Sequence, residues 1–223
     1  MQLNEVTFLN SDGVLIPYER RPDHLMAGAE QLMDIPHAQH DWTAEMVRAI
    51  PDDGNRYECV DGELLVTPAP RPAHERAIRA LYDRLTPYLR GSAFEIFLSC
   101  GDVEFDKRSR VEPDVFVVPI LGSQLAERWK DMPLPVLAIE VLSPSSARHD
   151  RWTKRRCYQR AGVPEFWIVD LDARLVERWR PEDERPELLN ESIIWQPVPN
   201  RPPLAIDLLT VFQEVTGERE AQP

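Results

Sequence analysis

Apolar positions along the chain switch between helical spacing and strand-like runs several times. Residues 42–50 (WTAEMVRAI) predict a short helix, with Thr43 as N-cap, Glu45 favourable in the first turn, and Pro51-Asp52-Asp53-Gly54 as a stop. Residues 56–68 read as two short strands joined at Asp61-Gly62, a dipeptide suited to a tight hairpin. Next, Ala77, Ala80, Leu81, Leu85, Tyr88 and Leu89 fall on one helical face, which predicts an amphipathic helix that Pro87 can bend and Gly91 ends. Strand patterns follow at 93–106, read as one strand or a hairpin, and at 111–119 and 135–144. A helix from His149 to Gly162 precedes two more strands at 165–172 and 175–181. Such alternation predicts a mixed α/β sheet rather than an all-β sandwich.

The remaining segments are less regular. Residues 1–41 show no sustained period and read as an extension of unknown role, with one short helix near Gly28–Met33. Residues 42–215 form the domain, in which 181–203 is loop with a covering strand and 204–215 a last short helix. Residues 216–223 are a tail.

A length of 223 residues suffices for one well-buried domain, and 43% hydrophobic with 29% charged residues is ordinary for a globular protein. No apolar run approaches the ~20 residues needed to cross a bilayer. The opening MQLNEVTFLNSDG has neither the basic patch nor the apolar stretch of a leader. Cys59, Cys100 and Cys157 are odd in number, widely spaced and set among apolar residues, as expected of free core thiols in a reducing compartment. The expectation is a soluble, cytoplasmic protein without a membrane anchor or an organic cofactor. A net charge of −12 argues against a polyanionic partner until its distribution is considered. Residues 71–160 hold 16 Lys and Arg against 12 Asp and Glu, so the acidity lies at the two ends.

Glu140 stands out because VLAIEVL is apolar on both alternating faces, so its strand is expected to be buried on both sides. A carboxylate there needs a cation, hydrogen-bond donors or a metal. Asp114 follows Pro113 and opens the apolar run VFVV. On neighbouring strands the two could supply oxygen ligands to Mg²⁺ or Mn²⁺, with the Val141 carbonyl as a third. Asp150, Lys154 and Tyr158 recur every four residues and share a helix face, which would bring an ammonium above the strand end. Arg148, Arg151 and Arg155 surround that helix and are candidates for phosphate contact.

Together, EPDV (112–115), IEVLSPSS (139–146) and the D…K…Y…GVPEFWIVD series (150–170) resemble the PD-(D/E)XK nuclease superfamily. More narrowly, they resemble its large bacterial family of restriction-endonuclease-like proteins, whose opening is also similar to residues 42–74. The resemblance implies a restriction-endonuclease-like mixed β-sheet core flanked by helices, with an added N-terminal hairpin region. It implies Asp114 and Glu140 as metal ligands and Lys154 as catalytic. The superfamily's usual lysine position holds Leu142, and in this family the lysine comes from the following helix. Glu63, within DGEL, and His74 match further family positions and are additional candidates at the site. The activity implied is metal-dependent hydrolysis of nucleic acid, DNA foremost; with one site per chain and no repeat, cutting both strands of a duplex leads to the expectation of a homodimer. The rivals are a non-catalytic binding module on the same fold and a hydrolase of a small phosphorylated substrate.

Overall fold

The computed structural model describes residues 7–9, 15–17, 41–68, 70–99, 101–122 and 126–217. The chain divides into two units, Met1–Ala38 and Gln39–Pro223. In the first, the described residues are two antiparallel strands, β1 (Thr7–Leu9) and β2 (Leu15–Pro17). The helix expected near Gly28–Met33 lies outside the described residues, as do Cys100 and the end of the tail from residue 218.

The second unit opens with helix α1 (Ala44–Arg48), where the Thr43 side chain accepts from the Met46 N–H at 3.2 Å, the expected cap. Strands β3 (Arg56–Val60) and β4 (Glu63–Thr67) form the expected hairpin. Asp61 (φ 53°) and Gly62 (φ 83°) both take the left-handed conformation that its two-residue turn demands. Helix α2 (Pro72–Leu89) starts on Pro72, where a missing N–H costs nothing, and continues through Pro87. Its buried face includes Ala77, Ala80, Leu81, Leu85 and Leu89, as the spacing predicts.

Strands β5 (Phe94–Leu98), β6 (Val103–Asp106), β7 (Ser109–Val111) and β8 (Val115–Pro119) come next. Strand β9 (Leu137–Val141) leads to a π-helix (His149–Lys154) that runs into α3 (Arg155–Ala161). Strands β10 (Glu165–Asp170), β11 (Leu175–Trp179), β12 (Glu187–Leu189), β13 (Ser192–Trp195) and β14 (Leu204–Asp207) precede helix α4 (Leu208–Thr216). The segment 204–215, read as one helix, is thus a strand and then a helix, with Asp207 as the N-cap between them.

Six strands form the central sheet in the order β12-β11-β10-β9-β8-β5; β9 and β10 are parallel and the other pairs antiparallel. A smaller antiparallel sheet has the order β4-β3-β7-β6. Strands β5 and β6 therefore belong to different sheets and do not pair with each other, although the run 93–106 reads as one strand or a hairpin. One face of the central sheet, with Val115, Val117, Leu137, Ile139, Trp167 and Val169, packs against α2, α4 and β13. The other, with Phe116, Val118, Ala138, Phe166 and Ile168, packs against the smaller sheet and α3. Both faces are covered, which explains the near-continuous apolar runs of β8, β9 and β10. Within β13, Ile193 and Trp195 belong to the core and only Ile194 of the three is exposed, so this segment covers the fold from within. No helix among the described residues is long and apolar enough to cross a membrane.

Candidate active site

Strand register brings Asp114 and Glu140 together. Val115 pairs with Ile139 in the antiparallel β8–β9 ladder, so Asp114 and Glu140 are the next residues along the two strands. Alternation then decides their face. Asp114 shares parity with Phe116, and Glu140 with Ala138, so both side chains belong to the face that meets the smaller sheet and α3. Both are buried, at 1% and 2% exposure.

Asp114 is held by three donors. Arg56 Nη1 reaches Oδ1 at 2.8 Å, the Val141 N–H donates to Oδ2 at 2.7 Å, and His74 Nε2 lies 3.0 Å from Oδ2. Burial opposes its ionisation, but His74, Arg56 and the Val141 N–H outweigh it and bring the carboxyl down to about 2. For His74, burial works against the charged form, yet hydrogen bonding to Asp114 and its charge raise the imidazole above its ordinary value.

Glu140 lies in a different environment. Its Oε1 accepts from Lys154 Nζ and from the Tyr158 hydroxyl, each at 3.1 Å. Lys154 Nζ also lies 2.7 Å from Glu58 Oε2 and 3.3 Å from Asp150 Oδ1, and all four of these charged groups are buried. Three carboxylates thus surround one ammonium. Burial raises Glu140 well above the usual carboxylate range against the pull of Lys154, with Asp150, Asp114 and Glu58 adding to the rise. Asp150 is raised too, by burial first. Lys154 is pushed well up, because Glu140, Glu58 and Asp150 together overcome the cost of its burial. The Tyr158 ring is fixed by stacking on Phe166 at 4.4 Å and by an edge contact with Phe105 at 5.5 Å.

The structure therefore gathers Asp114, Glu140, Lys154, His74, Asp150 and Tyr158, and it leaves other expected residues outside. Glu63 sits next to the hairpin turn, opposite Val60, and is exposed; it is not part of the cluster. The carboxylate at the core of the cluster comes from the partner strand as Glu58, which also accepts from the Glu112 N–H at 2.7 Å. Arg151 is engaged by Asp170 and Glu177, each at 2.6 Å. Arg155 donates to the Arg151 carbonyl and to Gln159 and lies over the Trp179 ring at 4.4 Å. Both are committed to holding the helix in place. Arg148 is exposed beside the π-helix.

Sequence reasoning missed Glu58 and Arg56. In RYECV the charged Arg56 and Glu58 alternate with Tyr57 and Cys59, which reads as a strand with one wet face. That face is instead covered, and Glu58 is fully buried. The one local hint is that Arg56 and Glu58 share a face as opposite charges.

The donor set suits a hard divalent cation. On Asp114, Oδ2 already meets two donors while Oδ1 meets only Arg56. On Glu140, Oε1 meets two donors, and Oε2 has no hydrogen-bond partner among the described residues. Each carboxylate thus keeps lone-pair capacity. No three His, Cys, Asp or Glu side chains among the described residues converge as a ready cage. A cation here would take Asp114 and Glu140, with the Val141 carbonyl and water completing its shell, a pattern typical of Mg²⁺.

The cluster opens on the Asp114 side into a cleft of about 480 Å³ lined by Asn55, Arg56, His74, Ser99, Glu112 and Asp114. A second cavity, about 280 Å³, adjoins it at His74 and includes Arg71, Ser143 and Asp170. A larger cavity of about 960 Å³ lies at the opposite end of β8, around Pro119 and Arg128, and contains none of the clustered residues.

The sequence profile of the family named Uma2, described as "Putative restriction endonuclease", matches residues 44–213. The chain belongs to this family. The Uma2 match spans every clustered residue. A crystal structure of a "putative nuclease belonging to DUF820" from Anabaena variabilis superposes with a TM-score of 0.60 at 20% identity, covering 78% of this chain and 99% of that one. The Uma2 chain thus has the restriction-endonuclease-like fold that its PD-(D/E)XK resemblance implies. A search of curated proteins gives no significant match.

Proposed function

We propose that this protein is a metal-dependent endonuclease that hydrolyses phosphodiester bonds of nucleic acid, with DNA as the preferred substrate and Mg²⁺ or Mn²⁺ as the ion. The observation that carries the proposal is the placement of Asp114 and Glu140 side by side on β8 and β9, with Lys154 hydrogen-bonded to Glu140. A divalent ion bound there would polarise the scissile phosphate and acidify a bound water. The protein's own part is then positional. Asp114, fixed by Arg56, His74 and the Val141 N–H, stays ionised and presents Oδ1. Lys154, held among Glu58, Glu140 and Asp150, would supply a positive charge close to the phosphoryl oxygens, where negative charge builds as water attacks and the sugar oxygen leaves. Tyr158 fixes the rotamer of Glu140. Membership of Uma2 supports the reaction class, and the open cleft at Asp114 suits a polymer better than a small enclosed phosphate.

Purified protein with Mg²⁺ or Mn²⁺ should cut supercoiled plasmid and linear duplex DNA, with RNA and single strands cut more slowly. Glu140→Gln should abolish cleavage. Inactivity of the wild type on all four substrates with both ions would refute the proposal.

A further inference from the structure

Arg56 has more hydrogen-bonding capacity than Asp114 uses. Its Nη1 is spent on Asp114 Oδ1 at 2.8 Å and on the Glu112 carbonyl at 3.0 Å. Its Nε and Nη2 have no protein partner among the described residues, and neither is a fully buried atom. Those two nitrogens form the outer edge of the guanidinium fork, the edge that matches two oxygens of a phosphate. The side chain is 17% exposed and lines the 480 Å³ cleft that reaches Asp114. No other Arg or Lys among the described residues lines that cleft. Of the arginines that the sequence nominates for phosphate, none lines this cleft: Arg151 lines the adjoining cavity but is engaged by Asp170 and Glu177, and Arg155 is occupied by other partners.

We propose that the outer edge of Arg56 grips a phosphate of the nucleic-acid backbone in the cleft, while Nη1 keeps Asp114 in place. This rests on the nuclease reading and adds to it a substrate-contacting residue on the smaller sheet. One side chain would then tie the position of the phosphate to that of the carboxylate. The anchor is rigid: β3 is paired on both sides, with β4 along its length and with β7 at Cys59.

The test is binding without turnover. Fluorescein-labelled duplex DNA is titrated with protein in chelator, by anisotropy, over a series of salt concentrations. Loss of one phosphate contact lowers the slope of log affinity against log salt by ~0.9 for duplex DNA. Arg56→Gln should show that loss together with a fall in affinity on the order of tenfold. Affinity alone does not discriminate, because releasing Asp114 also bares a carboxylate at the cleft; the salt slope does. Arg56→Lys, which keeps the charge and the fold, should retain the slope and bind several-fold more weakly, since an ammonium lacks the fork. With Mg²⁺ present, the lysine variant should raise KM more than it lowers kcat. A wild-type slope in Arg56→Gln, or wild-type affinity and KM in Arg56→Lys, would overturn the proposal while leaving the nuclease reading intact. A wild type that neither binds nor cuts DNA or RNA would overturn both.

Discussion

Lys154 approaches Glu58 to 2.7 Å, closer than the 3.1 Å that separates it from Glu140. The lysine of the candidate site thus sits between the smaller sheet, with an ion pair to Glu58, and β9, with a hydrogen bond to Glu140. Removing Glu58 leaves Lys154 between Glu140 and Asp150, but strips the Glu112 N–H of its acceptor, which typically costs about 1–3 kcal/mol. Glu58→Ala is expected to lose stability of that order in urea unfolding, and Glu58→Gln less, because an amide oxygen can still accept from the Glu112 N–H. Unchanged stability in Glu58→Ala would show that the fold does not depend on these contacts.

Substituting Lys154 should reduce hydrolysis by a factor of ~100 or more, typical for deleting a preorganised charge. Because Lys154 is buried, its loss is expected to affect the fold as well. Lys154→Met leaves Glu58, Glu140 and Asp150 facing one another, and burial already raises the last two. Carboxyls raised in the folded state bind more protons there than in the unfolded chain, so stability falls as pH rises. The melting-temperature gap between wild type and Lys154→Met should therefore widen from about pH 5 to about pH 8. A constant gap would mean that the three carboxylates do not interact.

Divalent cations should stabilise the wild type by relieving the same repulsion. At a hundredfold excess over Kd the gain is about 2.7 kcal/mol. Glu140→Gln should remove most of the Tm increase seen with Mg²⁺ or Mn²⁺. Equal increases in both proteins would place the ion elsewhere, for example on the acidic ends of the chain.

Asp170 supplies a pH signal away from the site. Burial works against its ionisation, but the Ala173 N–H and Arg151 lower its pKa below the ordinary 3.8. A depressed acid contributes stability that is fully present above its unfolded value and is lost as pH falls through the folded one. Asp170→Asn should thus be less stable than wild type at neutral pH, by no more than about 1 kcal/mol for so exposed a pair. The difference should shrink as the solution is acidified below 3.8. A difference that persists in strong acid would assign the effect to the side-chain turn rather than to charge.

Cutting both strands of a duplex is simplest when two copies of a site face the antiparallel strands, a task suited to a twofold dimer. Sedimentation across a concentration series should show a dimer at micromolar protein. A strict monomer would favour nicking or single-strand cleavage.

The juxtaposition of Asp114 and Glu140 was legible in sequence because its cause is local: a carboxylate inside an apolar strand, and another at the lip of its neighbour. The helix face of Asp150, Lys154 and Tyr158 was legible for a similar reason, although its first six residues, His149–Lys154, are π-helical rather than α-helical. Glu58 and Arg56 were hidden because their roles come from packing. Alternation in β3 marks which residues share a face but not whether a second layer covers that face. The split of residues 93–106 between two sheets was hidden likewise, since no residue in the run announces that β5 will pair with β8 and β6 with β7.

The bond from the Val141 N–H to Asp114 Oδ2 has an evolutionary corollary. Its donor is main chain and its place is fixed by the β8–β9 ladder, so no substitution at 141 other than proline removes it directly. A one-residue slip of that ladder would turn Asp114 or Glu140 to the opposite face, and the chemistry would vanish with the composition unchanged. In the connection between β8 and β9, the described residues 121–122 and 126–135 enter neither the ladder nor the cluster. Drift in the connection's length is therefore cheap, whereas a single insertion within β8 or β9 is not.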